Sequence, residues 1–429
     1  MSAIAAPAPT GPAVTIRGRS FPVMLPKLSD PRLHLAATIT SLQVIGQVGF
    51  HFEVSVAQIL IAIGTAAVIE VAVALVHQRV ILWPASALLT GNGVAFVLRD
   101  PGTVHGDWWS LRGWWIYVAT AAVALLSKYV IRWRRTHVFN PSNIGLVICF
   151  LALGRNRAVP LDFWWGPTSV WLAAVLAIIV VGGFAILWRL KLLRVALSFW
   201  ISFTAAVGVL ALAGHTMLTR WHVGALNGFG LWWVLITSPE VLVFLFFMIT
   251  DPKTAPHSSR ARIAYGVSLG LLAAILIAPT TSEFAAKVML LVALAIVSLA
   301  LPLLRGLSVL FRERRLPRVF APVALAAAVA AIVVANATPV PTNVPRLPSG
   351  PLPPIQILPA RGNVQPLDRH TAELIAYTVL KAQPSARSGL LRIQGYAGTG
   401  QGPPSATVRS HKRAYFAQEK PDGRWVSEF

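Results

Sequence analysis

The sequence predicts an all-α polytopic membrane protein, and three observations predict it. Charged residues make up only 12% of the chain while 55% are hydrophobic, and a soluble domain ordinarily carries about twice that charge. The mean hydropathy of +0.66 agrees. Apolar runs of about the 20 residues that a crossing helix needs recur along the chain. Tryptophans stand near the ends of those runs, among them Trp108, Trp109, Trp114, Trp115, Trp188 and Trp221, as an interfacial aromatic belt requires.

The runs lie near residues 35–51, 55–77, 80–98, 113–132, 142–155, 168–188, 193–213, 229–250, 261–280, 283–304 and 318–337. The third contains Pro84, Thr90, Gly91, Asn92 and Gly93, which reads as a broken or re-entrant helix. The fifth is short. Such segments are tolerated only where surrounding protein satisfies the freed backbone groups.

Charge placement tests this layout. A formal charge of +22 on a soluble chain suggests nucleic acid. Here many basic residues sit in short loops between apolar runs, so orientation of the helices is the better reading and no nucleic-acid partner is expected. If Arg17, Arg19, Lys27 and Arg32 are cytoplasmic, four basic loops fall on that same side. They contain Arg132, Arg134 and Arg135; Arg189, Lys191 and Arg194; Lys253, Arg260 and Arg262; and Arg305, Arg312, Arg314, Arg315 and Arg318. Arg99, Arg112, Arg155, Arg157 and Arg220 are exceptions on the other side.

The expected organisation is a disordered cytoplasmic tail over 1–33, a membrane core over 34–305 and an extra crossing within 306–338. A Pro-rich linker follows over 339–360, and a small extracytoplasmic α+β appendage over 361–429, with a helix near 366–382 and strands within 389–396 and 405–427. The single Cys149 and the absence of paired histidine motifs argue against a disulfide framework or a metal centre.

One segment occurs twice. Residues 96–103 read Phe-Val-Leu-Arg-Asp-Pro-Gly-Thr, and 247–254 read Phe-Met-Ile-Thr-Asp-Pro-Lys-Thr. They follow the third and eighth runs, five crossings apart, so the copies face opposite sides of the bilayer. An inverted five-plus-five repeat has this property, although Asp-Pro is also a common helix stop. In such repeats sites form where interrupted segments of the two halves meet, here Thr90 to Gly93 and Thr237, Ser238, Pro239 and Glu240.

Glu240 and Glu70 lie within apolar runs. A carboxylate at membrane depth is costly, so each is a candidate for a proton or ion pathway. A neutral glutamic acid bonded to a neighbouring helix is the plainer alternative. Lys128 is expected to snorkel to the interface. Asn140-Pro141-Ser142-Asn143 opens the fifth run, either as a helix cap or as a helix end aimed at an anion. No phosphate-binding loop or nucleophile elbow occurs in the membrane part, and no catalytic residue is identified.

Three segments then arrive in order: Pro84-Ala-Ser-Ala-Leu-Leu-Thr90-Gly91, Phe139-Asn140-Pro141-Ser142-Asn143-Ile144-Gly145, and Phe246-Phe247-Met248-Ile249-Thr250-Asp251-Pro252-Lys253-Thr254. Together they resemble the membrane family of the D subunit of Rnf electron-transport complexes and the B subunit of the sodium-pumping NADH:quinone oxidoreductase. Its enediyne-biosynthesis, UnbU-like branch is the most similar. The resemblance spans about residues 30–305 and implies a ten-helix inverted-repeat core in a bacterial cytoplasmic membrane. It also implies a flavin, transmembrane electron transfer with redox partner subunits, and a link to secondary metabolism. The electron-transport members carry FMN on the Thr of a Ser-Gly-Ala-Thr segment between the fifth and sixth crossings. Residues 155–167 hold no such segment, so the flavin expected here, FMN or riboflavin, is non-covalent. Thr90, Gly91, Asn92, Asn140, Pro141, Asp251 and Thr254 are the candidate cofactor-binding residues. The alternative function is a small-solute or ion transporter with Glu240 in its pathway.

Overall fold

The computed structural model describes residues 12–16, 19–133, 136–165, 168–219, 225–310, 336–337, 352–359, 367–382, 389–396, 405–410, 413–419 and 425–428. Ten apolar helices follow one another: α1 (Pro31–Phe50), α2 (Val56–Gln78), α3 (Ala85–Val97), α4 (Trp114–Val130), α5 (Pro141–Leu153), α6 (Val170–Leu190), α7 (Leu193–Leu212), α8 (Gly228–Met248), α9 (Ser259–Ile277) and α10 (Glu283–Leu310). Seven of them are long and apolar enough to cross a membrane, while α3, α4 and α5 are shorter. The molecule is a helical, multi-pass membrane protein. Large apolar side chains point outward, as with Val68, Leu212 and Phe229, which are 69%, 91% and 72% exposed. Lipid against these helices makes such a surface stable. The expected eleventh crossing, 318–337, lies outside the described residues except for its last two positions.

Cap chemistry starts several helices. Asp30 accepts from the Arg32 N–H at 2.9 Å ahead of Pro31. Ser55 and Gln58 form a reciprocal capping box on α2. The helices then pack through small residues, which let backbones approach closely in lipid. A Cβ on Gly91 would meet the Ala62 carbonyl oxygen of α2 at 2.6 Å, and one on Gly145 would meet Ala124 of α4 at 2.6 Å. On α9, Gly266 and Gly270 lie against α7, where a Cβ would reach the Val195 carbonyl at 2.6 Å and the Phe203 N–H at 2.8 Å.

Two helix expectations separate here. The Thr90–Gly93 segment does not break α3, which is continuous over its 13 residues. Its Gly91 serves close packing on α2 instead. At about 1.5 Å per residue, however, α3 is about 20 Å long and falls short of an average hydrocarbon core. The interruption lies in α8. Helix ends at Thr237, Ser238 is extended with ψ 143°, and Pro239 starts the next segment. Proline disfavours helix at the residue before it and has no N–H to donate. The Ile236 carbonyl that loses its helical partner accepts from Trp200 Nε1 at 3.1 Å instead.

The loops gather at two ends. At one end Arg189 donates to Ser29 O, Arg262 to Lys191 O, and His137 meets Asp251. At the other, Ser55 donates to Ser110 O, and Phe163 N to Glu283. The two Asp-Pro copies therefore occupy opposite ends.

Short strands join the loops. β1 (Ala13–Ile16) and β2 (Arg19–Met24) form an antiparallel hairpin, and β2 runs parallel to β3 (Ile81–Leu82). The disordered-tail expectation is thus corrected for Ala13–Met24. The loop after α2 offers a strand edge at Ile81–Leu82, and β2 takes it through Val23 and Met24, while the β-branched Val14, Thr15 and Ile16 of β1 pair with the other edge of β2. β4 (Leu98–Arg99) pairs with β7 (Val159–Pro160), β5 (Arg132–Trp133) with β6 (Thr136–His137), and β8 (Met217–Leu218) with β9 (Ala225–Leu226).

Beyond the helices, β10 (Ile355–Ile357), β11 (Leu391–Tyr396), β12 (Ser405–Ser410), β13 (Arg413–Glu419) and β14 (Trp425–Glu428) form one sheet in sequence order. Its first pairing is parallel and the rest antiparallel. The helix α11 (Arg369–Ala382) covers it, and Ile375, Val379, Leu391, Ile393 and Val408 build a separate core. Ile355–Ile357 falls in the span expected to be a linker, so that boundary moves toward the N-terminus.

Candidate functional site

At the end where Arg189, Arg262 and His137 gather, a cleft of about 250 Å³ opens between α1, α3, α5, α6 and α8. Its walls are apolar and aromatic, including Leu35, Ile39, Phe96, Ile186, Phe246 and Phe247. Its polar groups include Ser86, Thr90, Asn140, Ser142, Thr250 and Asp251, and Arg32, His137 and Lys253 stand among its lining residues.

Asn140 ties two distant parts of the chain together here. Its Oδ1 accepts from Asn143 N at 3.2 Å and from Ser142 Oγ at 2.9 Å, which caps α5. Its Nδ2 donates to the Met248 carbonyl at 3.0 Å, at the end of α8. That carbonyl lies in a final turn without an intrahelical donor. Asp251, just beyond, holds His137 Nε2 at 3.1 Å and accepts from Lys253 N at 3.0 Å. At the N-terminus of α1 Arg32 pairs with Asp30 at 2.6 Å, and this guanidinium holds the Asp30 carboxyl below its ordinary range.

The sequence candidates distribute unevenly. Thr90, Asn140, Pro141 and Asp251 line the cleft, with Thr90 Oγ1 donating to Ser86 O at 3.0 Å. Gly91 faces α2. Asn92 faces α1, donating to Thr40 Oγ1 at 3.3 Å. Thr254 turns back on Asp251 O at 3.4 Å. Sequence reasoning overlooked His137, Arg32 and Lys253 as site residues. Lys253 stands at the one position where the Asp-Pro-x-Thr copies differ, so the repeat gave no signal for it.

The two glutamates belong to separate clusters. Glu70 is in contact with Lys128 Nζ and accepts from Ala87 N at 2.8 Å, which caps the start of α3. Lys128 also donates to Ser86 Oγ at 3.0 Å. The snorkelling expectation for Lys128 is therefore corrected: its side chain is only 14% exposed and ion-paired inside the bundle. Glu240, in the first turn after the break in α8, lies 3.7 Å from Lys287 of α10. Lys287 contacts Glu283 and the Leu161 carbonyl, and Glu283 accepts from Phe163 N at 2.6 Å. Neither Glu283 nor Lys287 was singled out from sequence, although an i,i+4 acid–base pair opening an apolar helix is a legible signal. Among the described residues no hydrogen bond or ion pair links Glu70 to Glu240.

Arg99, an exception to the charge asymmetry, is buried. It donates to Ala95 O at 3.1 Å and Leu98 O at 2.8 Å, and sits 4.9 Å from the Phe52 ring centre. It caps the end of α3 and does not mark a side of the membrane. Comparisons with protein-family models and with curated proteins find no match to the chain.

Proposed function

We propose that the protein is a membrane redox subunit that holds a flavin non-covalently in the cleft at the Arg-rich end. One observation carries the reading: the chamber of about 250 Å³ has aromatic and apolar walls with cationic groups among its lining residues. Ligand pockets usually run from about 300 Å³ upward, so this one suits an isoalloxazine ring alone, with the ribityl phosphate toward Arg32 and Lys253. Phe246, Phe247 and Phe96 would flank the ring. Thr90 and Ser142 hydroxyls have acceptor capacity left for its polar edge, since each already donates elsewhere. Bound there, a flavin supplies electron transfer. The chain's own residues bind it, orient it and exclude water.

The wider proposal follows from the same arrangement. The core is an inverted repeat of five and five helices, supported by the Asp-Pro copies at opposite ends and by corresponding packing of α2 on α4 and α7 on α9. The Arg-rich end is cytoplasmic by the positive-inside rule, in a bacterial inner membrane, and the C-terminal sheet with α11 is an α+β appendage. Redox partner subunits would dock at the cleft's end. The visible absorbance of gently purified protein tests the reading. A flavin spectrum that is lost in Phe247→Ala supports it, and a colourless, monodisperse preparation that takes up neither FMN nor riboflavin refutes it.

The broken α8 with Glu240 at its break favours a second reading, a small-solute or ion transporter. Flux into proteoliposomes that proceeds without any electron donor and is abolished by Glu240→Gln would select it, because a redox subunit moves no solute unless electrons are supplied.

A further inference from the structure

The cluster around Glu240 has more acid than base. Two carboxyl groups are buried there, Glu240 and Glu283 of α10, while Asp162 in the loop before α6 is exposed and acts on Glu240 only through its charge. One cation opposes the buried pair. Lys287 lies between Glu240 and Glu283, and Arg99 is nearer Asp162 and the half-buried Glu53. With every group ionised the buried site holds a surplus negative charge, which a low-dielectric interior disfavours strongly. Carboxylates forced together resolve this by sharing a proton.

The geometry says which one carries it. Glu283 accepts from Lys287 and from the Phe163 N–H, and both contacts favour its ionised form. Asp162 has Arg99 near it. Glu240 has weaker support: both carboxyl oxygens are sealed from solvent and have no well-formed hydrogen bond among the described residues, so only the charge of Lys287 and its own backbone N–H favour ionisation. Lys287 at 3.7 Å is beyond hydrogen-bond distance. The 14% of the side chain that is exposed therefore belongs to its carbon atoms.

We infer that Glu240, Lys287 and Glu283 form a proton-binding site holding one exchangeable proton on the Glu240 carboxyl, at the break of α8. The inference rests on the charge and contacts of the cluster. It requires no flavin, and it deepens the transport reading without depending on it.

Infrared spectroscopy of the protein in bilayers at neutral pH tests it directly. The expected result is a protonated-carboxyl stretch that shifts down in D2O and is absent in Glu240→Gln. Charge balance adds a sharper expectation. Glu283→Gln removes the surplus charge, so the band should vanish although Glu240 is still present. Lys287→Met removes a cation, so the band should grow. Three results overturn the inference: no such band in the unmodified protein, a band that survives Glu240→Gln or Glu283→Gln, or a band that sodium chloride abolishes at constant pH. The last would mark a cation site. The unmodified protein decides the first point even if a variant fails to fold.

Discussion

Asn140 is where the cleft is most exposed to a single substitution. Its side chain makes three contacts: it caps α5 through Asn143 N, accepts from Ser142 Oγ, and donates to the Met248 carbonyl that ends α8. Asn140→Ala removes all three. Loss of the cap costs about 1 kcal/mol. Leaving the Met248 carbonyl without its donor in a buried setting costs about 1–3 kcal/mol more. The expected destabilisation is about 2–4 kcal/mol, read from equilibrium unfolding in mild detergent. Asn140→Asp separates the terms, because it keeps the capping oxygen and loses only the donor. It should lose the carbonyl contribution while the cap persists. If a flavin occupies the cleft, Asn140→Ala should also release it, since α5 and α8 would no longer be tied beside it. A loss below about 1 kcal/mol for Asn140→Ala would show that water or a neighbour replaces the amide, and the bridge would not be structural.

Further outcomes follow from the other contacts. Lys128→Met leaves Glu70 buried without its cation and should cost about 3 kcal/mol. Adding Glu70→Gln should recover much of that in the same unfolding assay, because Gln still accepts from Ala87 N. Gly270→Ala drives a methyl toward the Phe203 N–H and Phe199 carbonyl at 2.8 and 2.9 Å, whereas a methyl on Gly208 meets only Trp232 at 3.4 Å. The first should lower the thermal midpoint in detergent well below that of Gly208→Ala. Asp30 has its folded carboxyl held down by Arg32, so its contribution is present above the ordinary carboxylate range and fades as pH falls below about 4. Asp30→Asn should keep the α1 cap and flatten that small acid dependence in a pH series of thermal midpoints. Finally, Arg32→Gln with Lys253→Gln should weaken FMN uptake more than riboflavin uptake in a fluorescence titration, because only FMN carries a phosphate for those cations.

The membrane helices were largely legible because burial in lipid acts on every residue of a segment at once. The apolar runs near 193–213 and 229–250 end close to where α7 and α8 end. The break at Ser238-Pro239 was marked by proline, whose effect is local. Glycine misled in α3, because the same residue serves a helix break and a close helix contact, and only the position of Ala62 tells them apart. The partners of charged groups were not legible for a related reason. Lys128 near the end of an apolar run reads as a snorkel until Glu70, 58 residues away, is found beside it. The hairpin at Ala13–Met24 was hidden by Pro- and Ala-rich neighbours and needed the distant strand at Ile81–Leu82.

The placement of these charges bears on what the core can do. A single proton path through the bundle would string Glu70 and Glu240 along one line. Instead each is committed to a different junction. Glu70 caps α3 at the Arg-rich end, and the Glu240 cluster anchors the loop at Leu161–Phe163 toward the opposite end. Between them runs α3, too short to cross alone, with Arg99 closing its far end and the cleft opening along its length. Each end of the short helix is thus satisfied by a charged side chain from the core, as backbone within a membrane requires. The two glutamates therefore need not share one function. A variant at Glu70 should act on stability through α3 and on the cleft it lines, while a variant at Glu240 should act on proton binding and leave cleft occupancy unchanged. Measuring unfolding, flavin uptake and the carboxyl band on both Glu70→Gln and Glu240→Gln separates these roles, and a matched loss of all three in both variants would restore the single path.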